Sequence, residues 1–151
     1  MTTVSTNYGT PAAYAVAASL AAGNYDLTGT VYNSTTNKPA DTLFEYAATV
    51  AASPTGNKQI VLFIQGSMDG TTWNALPSST TDTTHDTSMR YLGTILTNGG
   101  AGSEVDRMGF SVAAAFGGIP PAYWRVIVKN DCGVALSSCS ARTQDITLTA
   151  A

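Results

Sequence analysis

Ile60, Val61, Leu62, Phe63 and Ile64 form an unbroken apolar run inside Lys58–Ser67. Only a strand covered on both faces tolerates such a run, so it predicts a central β-strand. Asp69-Gly70 follows at once and can take the positive φ angles of a tight two-residue turn, which predicts a hairpin with Thr72–Leu76 as its returning strand. Asp41–Ala52 reads differently. It alternates, with Phe44, Tyr46, Ala48 and Val50 on one face and Glu45 and Thr49 on the other, as expected of an outer, half-buried strand. Further strands are expected at Asp26–Asn33 (Leu27, Gly29 and Val31 on one face), Arg90–Leu96, and Val105–Ala113 with Met108, Phe110 and Val112 aligned. Tyr123–Lys129 sets Trp124, Val126 and Val128 against Arg125, Ile127 and Lys129, while Val134–Leu136 and Thr143–Thr149 close the series, the last with Ile146 and Leu148 inward. Strands recurring every 8–12 residues mean an all-β chain. The expectation is a single β-sandwich domain of eight or nine strands over residues 25–151.

Residues 1–24 differ from that body. Thr10, Pro11 and Gly23 around the alanines of PAAYAVAASLAAG resemble helix start and stop signals, but the segment is near the minimum length for a stable helix and precedes an all-β body. An extended N-terminal arm with at most a short helical turn is expected, packed on its own body or reaching a neighbouring subunit. Residues 77–88 have no apolar residue beyond Pro77 and predict a surface loop longer than two strands require, and residues 98–104 predict a flexible turn. In 113–123, two prolines and two glycines bar regular ladder pairing, leaving a shaped loop with Phe116 and Ile119 at its tip.

Composition narrows the function. The 151 residues are one domain, large enough for a core of its own. Charged residues make up 11%, less than half the usual share of about 25%, so the strands carry Ser, Thr and Asn on their polar faces. That suits either a solvated surface or one covered by neighbours in an assembly. A net charge of −3 with seven scattered basic residues argues against a phosphate-tracking nucleic-acid binder. No window approaches the roughly 20 apolar residues of a membrane-spanning helix, and Met1–Thr10 has no basic residue of the kind that opens a secretory signal. Folding in a cytoplasm is expected. Cys132 and Cys139 then read either as two free thiols or as a disulfide formed after release from the cell.

No catalytic constellation is expected. His85, flanked by Asp82 and Asp86, is the only histidine, and a first-row metal site needs three or four convergent ligands. A calcium site at Asp82 and Asp86 would lack the spaced oxygen ligands and closing glutamate of the best-known loop. No Gly-x-Ser-x-Gly occurs, the ten acids are scattered, and Glu45 is phased outward as a solvated or interfacial carboxylate. Neither enzyme activity nor a cofactor is expected. Among the aromatics, Trp124 shares the Val126 and Val128 face and is assigned to the core, whereas Trp73, just past the turn, is a candidate glycan contact. Asn33-Ser34-Thr35 formally matches a glycosylation acceptor, idle without secretion.

The stretches GNKQIVLFIQGSMDGTTW (56–73), RYLGTI (90–95) and FSVAAAFGGIPPAYWRVIVKNDCGVAL (110–136) together resemble small virion structural proteins of tailed bacteriophages. The resemblance implies a sandwich of jelly-roll type on a capsid or tail, made in the host cytoplasm and resident in the virion, without enzymatic activity. It carries no catalytic residue across. The implied function is a capsid decoration or cement protein that stabilises the outer shell, with the major capsid protein or other virion proteins as partners, no nucleic acid or membrane, and a homo-oligomer about a local symmetry axis. Candidate interface residues are Tyr8 and Tyr14 in the arm and Phe116, Ile119, Pro120 and Pro121 in the apolar loop. The alternative is a tail, collar or fibre-associated protein that presents a receptor- or glycan-binding surface through loops 77–88 and 98–104, with Trp73 as a contact.

Overall fold

The computed structural model describes residues 3–50, 53–77, 79–81, 86–98 and 104–150. Its strands in chain order are β1 (Val4–Tyr8), β2 (Ala12–Tyr14), β3 (Tyr25–Asp26), β4 (Tyr32–Asn33), β5 (Asp41–Val50), β6 (Gln59–Ser67), β7 (Arg90–Leu96), β8 (Glu104–Ser111), β9 (Tyr123–Asp131) and β10 (Leu136–Ala150). A 3-10 turn, Asp86–Ser88, precedes β7, and a one-turn helix, α1 (Val112–Ala115), follows β8. They form two antiparallel sheets packed as an all-β sandwich. The first runs β1-β10-β5-β8 with β2 also on β10, and the second β3-β9-β6-β7 with β4 also on β9. β1 pairs with residues 146–150 and β2 with 141–143, so the two follow each other along one edge. β3 and β4 share the edge of β9 in the same way. The ten strands therefore fill eight positions, four per sheet.

The alternation read from the sequence fills the space between the sheets. Phe44, Tyr46, Ala48 and Val50 of β5 face Ile60, Leu62 and Ile64 of β6 and Trp124, Val126 and Val128 of β9, all 2% exposed or less. Trp124 is the centre. Tyr14 and Tyr32 stack on it at ring separations of 5.7 and 4.6 Å, and Phe44 meets Tyr14 and Trp124 edge-on. β6 lies between β9 and β7 and is covered on both faces, as its apolar run requires. Its outer face joins a second cluster of Tyr25, Phe63, Met89 and Ile127.

That cluster is roofed by the chain between β6 and β7, which corrects the expected hairpin. Thr72–Leu76 forms no strand, and the partner of β6 is β7. Only Gly70 of the turn has a positive φ, at 75°, and the Asp69 carboxylate accepts from the amides of Thr71 (2.8 Å) and Thr72 (2.7 Å) and from the Thr72 hydroxyl (2.8 Å). These bonds close the segment on itself instead of on β6. The chain then crosses the outer face of the second sheet, tied down where the Gln65 amide donates to the carbonyls of Asn74 and Ala75 and where Tyr25 N donates to Thr80 O.

Four more expectations change for local reasons. The predicted strand 26–33 survives only as its ends, β3 and β4, because the Asp26 carboxylate accepts from the Thr28 amide and hydroxyl and from the Ala17 amide, drawing the chain out of the ladder. β5 is not at the outside of its sheet, since it pairs with both β10 and β8. The strand beginning at Glu104 stops at Ser111, whose hydroxyl caps α1 by accepting from Ala114 N. In β10, Leu136 and Thr143 face inward whereas Ile146 and Leu148 face outward. A bulge between Ser137 and Ser140 adds one residue and inverts the alternation expected for 143–149, and Val134 lies outside the strand.

Candidate interaction surface

Strand directions decide what meets at each end of the sandwich. β5 begins where β10 leaves it (Asp41 opposite Ile146) and where β8 ends (Leu43 opposite Ser111). β6 ends where β9 begins (Ser67 opposite Tyr123), and β7 begins opposite Ile64. Segments 34–40, 112–122 and the turn that begins at Met68 therefore share one end with the last residues of β10. At that end lie Val4, Tyr8, Met68, Ile119 and Leu148, half of the exposed large apolar side chains among the described residues. Leu96 and Val105, also exposed, belong to the opposite end.

The two tyrosines of the arm part company. Tyr14 is 5% exposed: its ring stacks on Trp124, its hydroxyl donates to Thr30 O, and Val126 N donates to that hydroxyl at 3.0 Å. Burial pushes its ionisation well above the ordinary tyrosine value, with the Val126 amide opposing. Tyr14 fastens the arm to its own body and has no surface to offer a partner, which removes it from the expected interface. Tyr8 is 62% exposed. It sits in a two-stranded ribbon, β1 with the end of β10, that continues past Ile146, the last residue paired with β5.

The apolar loop is held from below and open above. Asp41 accepts from Ala113 N (2.7 Å) and the Ser111 hydroxyl (2.6 Å), pinning α1 to the start of β5. Phe116 is half-buried, with the Arg90 guanidinium 5.3 Å from its ring centre. Phe116 and Pro121 close on Gly66, where an added Cβ would stand 2.9 and 2.8 Å from them. Gly117 and Gly118, at φ 81° and 115°, then carry the chain outward, a conformation other residues rarely adopt. Ile119 projects at 79% exposure beside half-buried Pro120. Of the four loop residues predicted, Phe116 and Pro121 thus form a floor and Ile119 the tip. Met68, 92% exposed and not singled out from the sequence, joins Phe116 and Pro121 around a depression of about 290 Å³.

Beside the ribbon lies a larger polar cleft of about 760 Å³, lined by Asn7, Tyr8, Thr10, Tyr32, Asn33, Asn37, Thr143, Asp145 and Thr147 among others. Asp145 organises it, accepting from the Tyr32 hydroxyl, Thr42 Oγ1 (2.9 Å) and Asn37 Nδ2 (2.9 Å). Burial and the Asp145 hydrogen bond both push the Tyr32 hydroxyl far above its ordinary ionisation. The bonds from Tyr32, Thr42 and Asn37 to Asp145 tie the two sheets together at the base of the cleft. Trp73 lies outside this end's depressions; its indole donates to Gly70 O at 3.1 Å and the Arg125 guanidinium covers its ring at 4.5 Å. A sugar ring would have to displace Arg125, which also donates to Gln65.

The remaining candidates take structural positions. Glu45 faces outward and pairs with Arg142 at 2.8 Å and Arg107 at 3.5 Å. Asp86 accepts from Tyr25 and Lys129, whereas Asp82, His85 and most of 98–104 lie outside the described residues. Cys132 and Cys139 are free and buried, and burial raises both thiols. No group of three or more His, Cys, Asp or Glu among the described residues could hold a metal ion. No protein-family model matches the chain, and no curated protein matches it.

Proposed function

We propose that this chain is a non-enzymatic structural protein of a tailed-phage virion, a decoration or cement subunit that seats its ribbon-and-loop end on the outer capsid shell. The observation that carries the reading is the gathering of Tyr8, Met68, Ile119 and Leu148, all at least 60% exposed, at one end of a rigid sandwich. Strand order supports it as well. With β1 and β2 as one strand and β3 and β4 as another, the two sheets take the order of a jelly roll, an architecture common in viral capsid proteins. Fold alone does not fix function, so the weight rests on the apolar end. A low charge suits a surface with many neighbours, because each contact costs little desolvation. Partners on this reading are the major capsid protein and further copies of the chain, and the site of action is the virion.

Binding to purified shells tests the reading. Ile119→Ser combined with Met68→Ser should leave folding stability within about 0.5 kcal/mol, since both side chains are exposed, and should reduce shell occupancy at least tenfold. Unchanged occupancy would sink it. The polar cleft around Asp145 favours a second reading, a tail, collar or fibre protein that holds a glycan there and not at Trp73. Very many copies per particle would indicate the shell; a handful at one vertex would indicate the tail.

A further inference from the structure

We propose that the free edge of β1 pairs with β1 of a second copy of this chain, antiparallel and centred on Thr6, to make a two-fold dimer through a continuous four-stranded ribbon. This stands independently of the virion reading. The geometry starts from one bond: Gly9 N donates to Asp145 O at 2.9 Å, in register with the β1–β10 ladder. In an antiparallel pair, a residue so bonded turns both its amide and its carbonyl to the partner, and its neighbours turn theirs away. Asn7 and Ser5 therefore face β10. Val4, Thr6 and Tyr8 direct their amides and carbonyls to the outer edge of the first sheet, where β1 is the last strand.

A strand placed there with Thr6 opposite its own copy satisfies every one of those groups. Thr6 exchanges two hydrogen bonds with Thr6 of the second copy, and Val4 exchanges two with Tyr8 of the second copy at each end of the pairing. Centring the axis on Ser5 or Asn7 would pair only two of these three residues within the strand, Val4 with Thr6 or Thr6 with Tyr8, and an axis between residues would set outward groups against inward ones. Side chains agree with the backbone. The sequence Val4-Ser5-Thr6-Asn7-Tyr8 is symmetric in character about Thr6, so the two-fold sets Val against Tyr, Thr against Thr and Ser against Asn. Aromatic with β-branched and Thr with Thr are favoured cross-strand pairs.

Charge separates this edge from its counterpart across the same sheet. β8 carries Glu104, Asp106 and Arg107, residues of the kind that discourage strand addition. β1 has no charge, proline or bulge, so nothing in it repels a copy of itself. The antiparallel sense also directs the two sandwiches away from each other along the shared ribbon. Tyr8 and Ile146 of one copy then continue into Val4 and Ala150 of the other, one apolar row across four strands.

Two substitutions test the pairing in the full chain. Under mild oxidation Thr6→Cys should form a disulfide-linked dimer, because hydrogen-bonded antiparallel partners have Cα atoms about 5.5 Å apart, within disulfide range. Ser5→Cys, on the opposite face and opposite Asn7, should link at least tenfold more slowly. In sedimentation equilibrium the unsubstituted chain should show a monomer–dimer equilibrium that Thr6→Pro weakens at least tenfold. The proline removes only an amide on the free edge, so unfolding should keep its midpoint and show that β1 still pairs with β10. A chain that stays monomeric at millimolar concentration, or equal linking of both cysteine variants, overturns the proposal. So does a dimer indifferent to Thr6→Pro. If the chain is monomeric while Thr6→Pro weakens its attachment to shells, the edge takes a strand of another protein and self-pairing is wrong.

Discussion

Tyr8 and Tyr14 show how far residue identity alone reaches. Both are candidate aromatic anchors in a small-residue arm, and a pattern of alanines gives no reason to separate them. Separation comes from partners far along the chain: Trp124, Val126 and Thr30 surround Tyr14, while Tyr8 has Ile146 on its strand neighbour and solvent beyond. Tyr14→Phe keeps the ring stack but leaves the Val126 amide and the Thr30 carbonyl without their bridge. Removing one partner of a buried hydrogen-bonding group costs about 1–3 kcal/mol, and urea unfolding should show a loss of that size; a loss under about 0.5 kcal/mol would mean water replaces the hydroxyl. Trp124 was legible because its strand alternates cleanly. Met68 was not, because its exposure depends on a turn whose shape the sequence does not declare.

At the level of elements, long alternating or uniformly apolar strands were readable and short polar-controlled ones were not. Asp41–Val50, Gln59–Ser67, Arg90–Leu96 and Tyr123–Asp131 lie within a residue or two of where periodicity placed them. Misreadings occur where one side chain or one extra residue overrides the pattern: Asp26 splits a strand, Asp69 prevents a hairpin, Ser111 starts a helix and the bulge after Ser137 inverts β10. Asp69 makes its effect measurable. Hydrogen bonds from the Thr72 and Thr71 amides, then from the Thr72 and Ser67 hydroxyls, hold its carboxyl far below the usual carboxylate range. Because the folded value is depressed, the stabilisation is complete above the unfolded value of about 3.9 and fades as pH falls towards the folded one. Asp69→Ala should therefore melt earlier than the parent at pH 7, with the difference in Tm shrinking below about pH 4. A difference independent of pH would mean the turn is held by something other than the charged carboxylate.

For the whole molecule, two packed sheets followed from strand count and spacing, but the end at which exposed apolar residues collect did not, because it depends on the direction of every strand. Low charge was visible from the start and could not say which face it served. The core predicts a global property: Cys132 and Cys139 are at most 9% exposed with thiols raised by burial, so a thiol reagent should reach them at the rate of unfolding and react at once in strong denaturant. Fast reaction in the native state would show a loosely closed sandwich. The roof that Asn74, Ala75, Leu76 and Thr80 build over Phe63, Ile127 and Met89 has a last consequence. It covers the outer side of one sheet, whereas β8 and much of β10 in the other are exposed among the described residues, so the two faces differ. On the capsid reading proposed above, a peptide tag grafted on the roofed face would project sideways from a molecule seated by its end.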